Sequence, residues 1–346
     1  MMEYADIIKD NCENHSSVAW WPKFAFHYTD VTNAVSILST GFLYSRVNAK
    51  KMNLMKNDNA SRQVIDMTKT EAVANVRFYF RPLTPIQYYN EGFKHAALRY
   101  DNDENANVPV PVFFLFDLEK LLSMPEIKFS EFAQSGYGSS LCSGIEDFQK
   151  LDFDKIYSNG YVEEYEQIKY RHAELLYPNA FAIDNCLRAI LCRNNIERTT
   201  LLNLLKGKNK KAFYKYTRNP IIKVCRENMF EKNGLFVMGC SYHGGKASIS
   251  FSETYAEKKY TNSLMAKNGI DALNPVKARA EFEWIGSKGV LYRSNTEFEL
   301  DYINTSSVVF NNLPKPKGAK KIRIKLLLED KLMCYAEQPL AEVELI

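Results

Sequence analysis

The sequence predicts an α+β chain in two parts, a mixed part over residues 1–215 and a β-rich part over residues 216–346. Up to about residue 205, short apolar strands alternate with segments of helical periodicity. Beyond about residue 216 the texture changes: GLFVMGCSY, ASISFSETY, GVLYR, FELDYI, SVVFNN, KIRIKLLL and AEVELI cluster or alternate apolar residues between Gly, Asn and Pro turns. Short strands at that spacing suggest a sandwich or barrel-like module. The length of 346 residues suits about two domains.

Taken in order, FAFHYT at 24–29 reads as a strand. Thr29 and Asp30 can cap a helix over 31–40, with Val31, Ala34, Val35 and Leu38 on one face and Gly41 as its stop. FLYS then reads as a second strand, and 46–75 as a polar loop with some helix. VRFYF at 76–80 is a strand ended by Pro82 and Pro85, and IQYYNEGF a helix or turn. VPVPVFFLF at 108–116 is a buried strand running into the helix DLEKLLS. Residues 130–160 read as irregular surface loop, including GYGSS at 136–140. Residues 146–166 carry seven acids and two lysines. The segment AELLYP is short enough for a helix or a strand, and 183–205 holds further helix or strand. The boundary is placed in a loop, KGKNKKAFYKYTRNP, at 206–220.

Composition narrows the function classes. Hydrophobic residues make up 46% and charged residues 25%, ordinary for a globular protein, so a disordered or low-complexity chain is excluded. The net charge of +4 excludes a histone-like binder but leaves room for a local basic patch. Residues 1–215 carry 26 basic and 26 acidic residues, and the rest carry 19 and 15. No apolar run is long enough to span a membrane. The N-terminus has acids where a signal peptide needs cations. Seven cysteines without a CxxC pair fit reduced thiols, and together these features point to a cytoplasmic protein. No GxGxxG follows a strand, and there is no P-loop, HExxH or His/Cys cluster, so Rossmann, nucleotide-triphosphate and metal readings are disfavoured. Metal ligands are predicted to be none.

Two runs of cations stand apart. Lys206, Lys208, Lys210, Lys211, Lys215 and Arg218 lie within 206–218 with Phe213, Tyr214 and Tyr216 interleaved and no acid among them. Cations track phosphates and aromatic faces stack on bases, so Lys208, Lys210, Lys211, Tyr214 and Tyr216 are candidate contacts to single-stranded nucleic acid. The second run is Lys315, Lys317, Lys320, Lys321, Arg323 and Lys325. The plainer reading of both is a solvated linker and a lysine-guarded edge strand.

Three further features occur in order: His27-Tyr28-Thr29 followed by a helix and Gly41, then FYFRPLTPIQYY at 78–89, then RHAELLYP at 171–178. Each alone has an ordinary structural reading. Together, over roughly residues 24–205, the trio resembles the DarT family of nucleic-acid ADP-ribosyltransferase toxins. The sequence departs from that family in VRFYF for VPFYF, in the residues after the proline, and in the acids Glu163, Glu164 and Glu166 ahead of Glu174. Residues 216–346 carry no such resemblance.

The resemblance implies an ADP-ribosyltransferase fold of split mixed sheets with flanking helices. It also implies transfer of ADP-ribose from NAD+ to a base of single-stranded DNA or RNA, without a metal. Loss of nicotinamide leaves cationic character on the ribose, which a nearby carboxylate stabilises. Glu174 is the expected catalytic carboxylate. His27, Thr29 and Asn33 are expected on the ribose and nicotinamide side, with Tyr79 and Phe80 stacking on the nicotinamide. Arg62 is the expected catalytic arginine, with Arg46, Arg77 and Arg81 as competitors. A cognate antitoxin and a role in phage defence follow by the same resemblance. The alternatives are transfer to a protein and a nucleic-acid-binding module that has lost activity.

Overall fold

The computed structural model describes residues 3–58, 66, 70–99, 107–135, 140–162, 164–252, 261–263 and 265–340. Most of GYGSS and all of AEVELI lie outside the described residues. The first part is built on seven strands: β1 (Phe24–Asp30), β3 (Asn75–Tyr79), β4 (Pro111–Asp117), β5 (Lys128–Ser130), β6 (Glu174–Pro178), β8 (Leu187–Cys192) and β9 (Ile222–Val224). Their order is β5-β6-β3-β1-β4-β8-β9. All neighbours are antiparallel except β8 and β9. Two short strands, β2 (Phe42–Tyr44) and β7 (Ala180–Ala182), form a separate ribbon. Strand β4 is buried over its first six residues, as its unbroken VFFLF run requires in a central position.

The helix after β1 spans Val31–Thr40. Asp30 caps it by accepting from the Thr32 N–H, and Gly41 stops it at φ +77°. That left-handed conformation costs glycine nothing. AELLYP is resolved as strand: Glu174 opens β6, paired with β3 on one side and β5 on the other.

The 206–220 segment is not a loop. It ends one helix, Asn195–Lys208, and forms most of a second, Lys210–Arg218, with Asn209 capping the second through the Ala212 N–H. Ala212 and Tyr216 are buried on its inner face. Clustered lysines resemble linker composition, but the apolar residues at i and i+4 decide the conformation. The first core also reaches past residue 215, through Ile222, Met229 and Phe230.

The C-terminal part pairs two sheets. One is β10 (Val237–His243), β11 (Lys246–Phe251) and β14 (Ser307–Phe310). The other is β13 (Gly289–Leu300), β12 (Val276–Gly286), β15 (Lys321–Leu328) and β16 (Lys331–Pro339). Along β12 and β15 alternate residues are buried, including Ala280, Phe282 and Trp284 facing Leu326, Ile324 and Ile322 across the ladder. Phe310 of the first sheet meets Phe282 and Phe298 of the second at centroid distances of 5.2 and 5.5 Å. This is the strict alternation of a one-sided core.

The two parts join at Phe93, which pairs with Leu235 beside Gly92 and Gly234. A Cβ added at Gly234 would lie 2.4 Å from the Glu91 carbonyl oxygen, so only glycine allows this approach. Among the described residues no helix is long and apolar enough to cross a membrane.

Candidate active site

Strands β1 and β3 meet at the pair Phe26↔Tyr79, and Tyr79 in turn faces Glu174 on β6. Opposed residues share a sheet face, so Tyr79 and Glu174 stand side by side. Beyond Phe26, His27 spans the gap toward β3: its Nδ1 lies 3.0 Å from the Arg77 carbonyl oxygen. A ring nitrogen facing a carbonyl must carry the proton, which leaves Nε2 with its lone pair. Burial lowers the His27 pKa to about 4, against the opposing pull of that hydrogen bond, so the ring is neutral at pH 7.

Glu174 is almost fully buried, 1% exposed. Its Oε1 accepts the Gln134 N–H at 2.7 Å, and its Oε2 lies 3.6 Å from Arg77 Nε. Burial pushes its pKa up, while the Arg77 charge and the Gln134 N–H oppose that shift. Tyr79 is pushed up to about 12, first by burial and then by the Glu174 charge, so it remains a phenol. The result is a carboxylate with one close donor and one longer ion pair, beside a phenol and two strands away from a neutral imidazole.

A cleft opens next to this group. His27, Thr29, Asn33, Arg46, Arg77 and Tyr79 line it, with Phe42 and Tyr44 of the ribbon on another wall. The structure therefore brings together His27, Thr29, Asn33 and Tyr79 at the cleft, and Glu174 through Arg77. Asn33 acts on the wall rather than in the space. Its Nδ2 donates to the Asn57 carbonyl at 2.6 Å, and its Oδ1 accepts from the Lys56 and Asn57 N–H groups at 2.7 and 3.1 Å. It shapes the cleft by holding residues 56–57 in place.

Phe80 does not face the cleft. It is fully buried and packs on Phe148 at 6.2 Å. Its neighbour Tyr79 points the other way, as strand alternation demands. Arg62 lies outside the described residues. Of its competitors, Arg81 is buried and donates to the Pro82, Ile156 and Ser158 carbonyls under the Trp21 ring. Arg46 and Arg77 both line the cleft. Arg46 opens the Arg46–Lys51 helix and pairs with Asp58, which Lys50 also meets at 2.9 Å. The sequence signal for Arg46 is its spacing behind the His27 motif, and the polar texture of 46–75 conceals it.

Tyr216 is buried, so it has no face for stacking on a base. Lys208, Lys210, Lys211 and Tyr214 are exposed. The β15 half of the second basic run is neutralised: Lys321 and Arg323 pair with Glu337, Arg323 also with Glu283, and Lys325 with Glu281. Ahead of Glu174, Glu166 is paired with Lys169 at 2.5 Å, and Lys169 also sits over the Phe132 ring. Glu163 lies outside the described residues. Among the described residues no three His, Cys, Asp or Glu side chains are grouped to hold a metal ion.

Comparison with known proteins adds a family. The family model described as ssDNA thymidine ADP-ribosyltransferase, DarT, matches residues 26–226. Among solved structures, Thermus sp. 2.9 DarT in complex with NAD+ is 16% identical, with a TM-score of 0.46 over 61% of this chain and 98% of that one. The same protein in complex with ADP-ribosylated ssDNA gives 14%, 0.46, 61% and 97%. Thermosipho africanus DarTG in complex with ADP-ribose is 13% identical, with a TM-score of 0.43 over 56% of this chain and 51% of that one. No curated protein matches the chain.

Proposed function

The chain belongs to the DarT family of ssDNA thymidine ADP-ribosyltransferases, and on that premise we propose that the cleft beside β1 and β3 binds NAD+ for transfer to a base presented at Glu174. The observation that carries this assignment is the buried Glu174 carboxylate, held next to Tyr79 and Arg77 at the edge of a cleft that also contains a neutral His27.

NAD+ supplies the ADP-ribosyl group and a nicotinamide that departs with the bonding electron pair. The residues suit such a donor. Tyr79, Phe42 and Tyr44 offer aromatic surface, Arg46 offers a cation for the pyrophosphate, and Thr29 and His27 offer hydrogen-bonding groups for the ribose and amide. Glu174 stabilises the cationic character that grows on the ribose. As the ribose carbon bonds to the acceptor nitrogen, that nitrogen loses its proton, and a carboxylate with a raised pKa is suited to take it. We take Arg46 as the NAD+-contacting arginine, because it lines the cleft while Arg81 does not.

Residues 1–215 are read as the transferase part and 216–346 as an accessory part. Lys208, at the end of the Asn195–Lys208 helix, and Lys210, Lys211 and Tyr214, exposed on the Lys210–Arg218 helix, are read as contacts to the single strand. The reading extends to a cytoplasmic toxin with a cognate antitoxin and a part in phage defence. Incubation with labelled NAD+ and separate pools of single-stranded DNA, duplex DNA, RNA and protein tests the core of it. Label is expected on single-stranded DNA; label confined to protein would overturn the acceptor.

A further inference from the structure

The cations of this chain are partnered unevenly. Those of β15 are matched by Glu281, Glu283 and Glu337. The segment Arg218 to Arg226 holds three cations and no acid, and it runs into a cleft between edge strand β9 and the first turn of the Asn195–Lys208 helix. Arg198, Lys223 and Arg226 line that cleft over a floor of Ile222 and Val224, and among the described residues no carboxylate lines it. Among the described residues none of the three forms an ion pair. Arg198 is set in position by its Nε, which donates to the Ile222 carbonyl at 2.9 Å. Lys223 and Arg226 are exposed.

The approach to the cleft has the same character. On the Lys210–Arg218 helix, Lys211, Tyr214, Lys215 and Arg218 fall at i, i+3, i+4 and i+7, one exposed stripe opposite buried Ala212 and Tyr216. Lys215 is paired with Asp184. The stripe ends at Arg218, and Pro220 carries the chain into the cleft.

Concave sites with convergent cations and no acid hold polyanions; the cost of crowding like charges is recovered when phosphate neutralises them. We propose that the β9 cleft, through Arg198, Lys223 and Arg226, binds backbone phosphates of the single strand that flanks the modified base. This rests on the transferase reading above. In the sheet, β9 lies five strand spacings from β6, about 24 Å from Glu174. The cleft therefore adds affinity at a distance from the chemistry and does not read the base.

The test uses the full chain and a Lys223→Glu/Arg226→Glu variant, which touches no group of the NAD+ cleft. Affinity for a single strand of about 20 nucleotides is measured by fluorescence anisotropy across a salt series, and NAD+ affinity by calorimetry. The variant is expected to bind the strand about tenfold more weakly, with the salt slope reduced by about 1.4 as two phosphates keep their counterions. NAD+ affinity and Tm should hold, and KM for DNA should rise with kcat unchanged. A Lys223→Arg/Arg226→Lys variant should behave as wild type. Unchanged affinity and slope would overturn the assignment, as would a parallel loss of NAD+ affinity, which would place the effect in the fold. If wild type modifies the strand and the charge-reversed variant is indistinguishable from it, the phosphate track alone falls; if wild type neither binds nor modifies the strand, the transferase reading falls with it.

Discussion

Two arginine–glutamate groups, one at the seam of the two parts and one at the cleft, are built to opposite ends. At Arg193 the guanidinium is fully engaged. It reaches Glu91 at 2.7 Å, Glu197 at 3.1 Å and the Glu231 carbonyl at 2.6 Å, and it stacks 3.8 Å from the centroid of Phe236. Gln87 and Lys94 tie Glu91 further into the seam between the two cores. At Arg77 the ion pair to Glu174 is a single longer contact of 3.6 Å, and Arg77 borders an open cleft. A saturated charge cluster organises a fold; a carboxylate left with capacity to spare is available to a substrate.

That contrast is most sharply broken by substitution within each group. Glu174→Gln keeps the shape of the site and removes its charge. Transfer to DNA should fall roughly a thousandfold, with NAD+ affinity and Tm retained. Residual activity near wild type would remove Glu174 from the chemistry. Arg193→Met should do the reverse. It leaves Glu91 and Glu197 buried without their cation, an expected loss of about 3–5 kcal/mol in urea unfolding, and its activity per folded molecule should be little changed. Arg77→Met should cost less stability than Arg193→Met and more activity. If the two arginine variants behaved alike, the distinction drawn between the clusters would be wrong.

A smaller effect separates the sites by pH. The folded pKa of His27 is lowered from 6.5 to about 4. Its contribution to stability is therefore full above pH 6.5 and is lost as pH falls toward 4. His27→Gln should flatten that part of a stability–pH curve measured by thermal unfolding. The same shift predicts no inflection near pH 6.5 in kcat/KM of the wild type, since the ring is already neutral there; an inflection would mean that His27 is protonated in the working enzyme.

Much of the site is legible in the sequence, for local reasons. Asp30, the apolar face of Val31–Thr40 and Gly41 announce a helix directly behind β1. Two-residue alternation sets Thr29 beside His27, and the family resemblance of residues 24–205 is borne out by the match over 26–226. Of the two neighbouring aromatics expected on the nicotinamide, only Tyr79 reaches the cleft, because Phe80 is buried against Phe148. Sequence reasoning puts Asn33 on the substrate, whereas its amide holds residues 56–57. It also makes 206–220 a linker, whereas burial of Ala212 and Tyr216 makes it helix.

The family resemblance singled out Glu174 and His27; by itself, the sequence determined β1 with the capped helix behind it, the strands at 76–80 and 108–116, and the β texture of the last third. These depend on capping, periodicity and residue spacing, all of which act over a few positions. Only the tertiary structure decided which charges are spent and which remain. Arg46 reaches the cleft while paired with Asp58, and Arg81 is locked beneath Trp21. The lysines of β15 find glutamates on neighbouring strands, and among the described residues Arg198, Lys223 and Arg226 find none. The physical reason is that an ion pair joins residues by distance in space, across chain separations that composition and spacing do not encode.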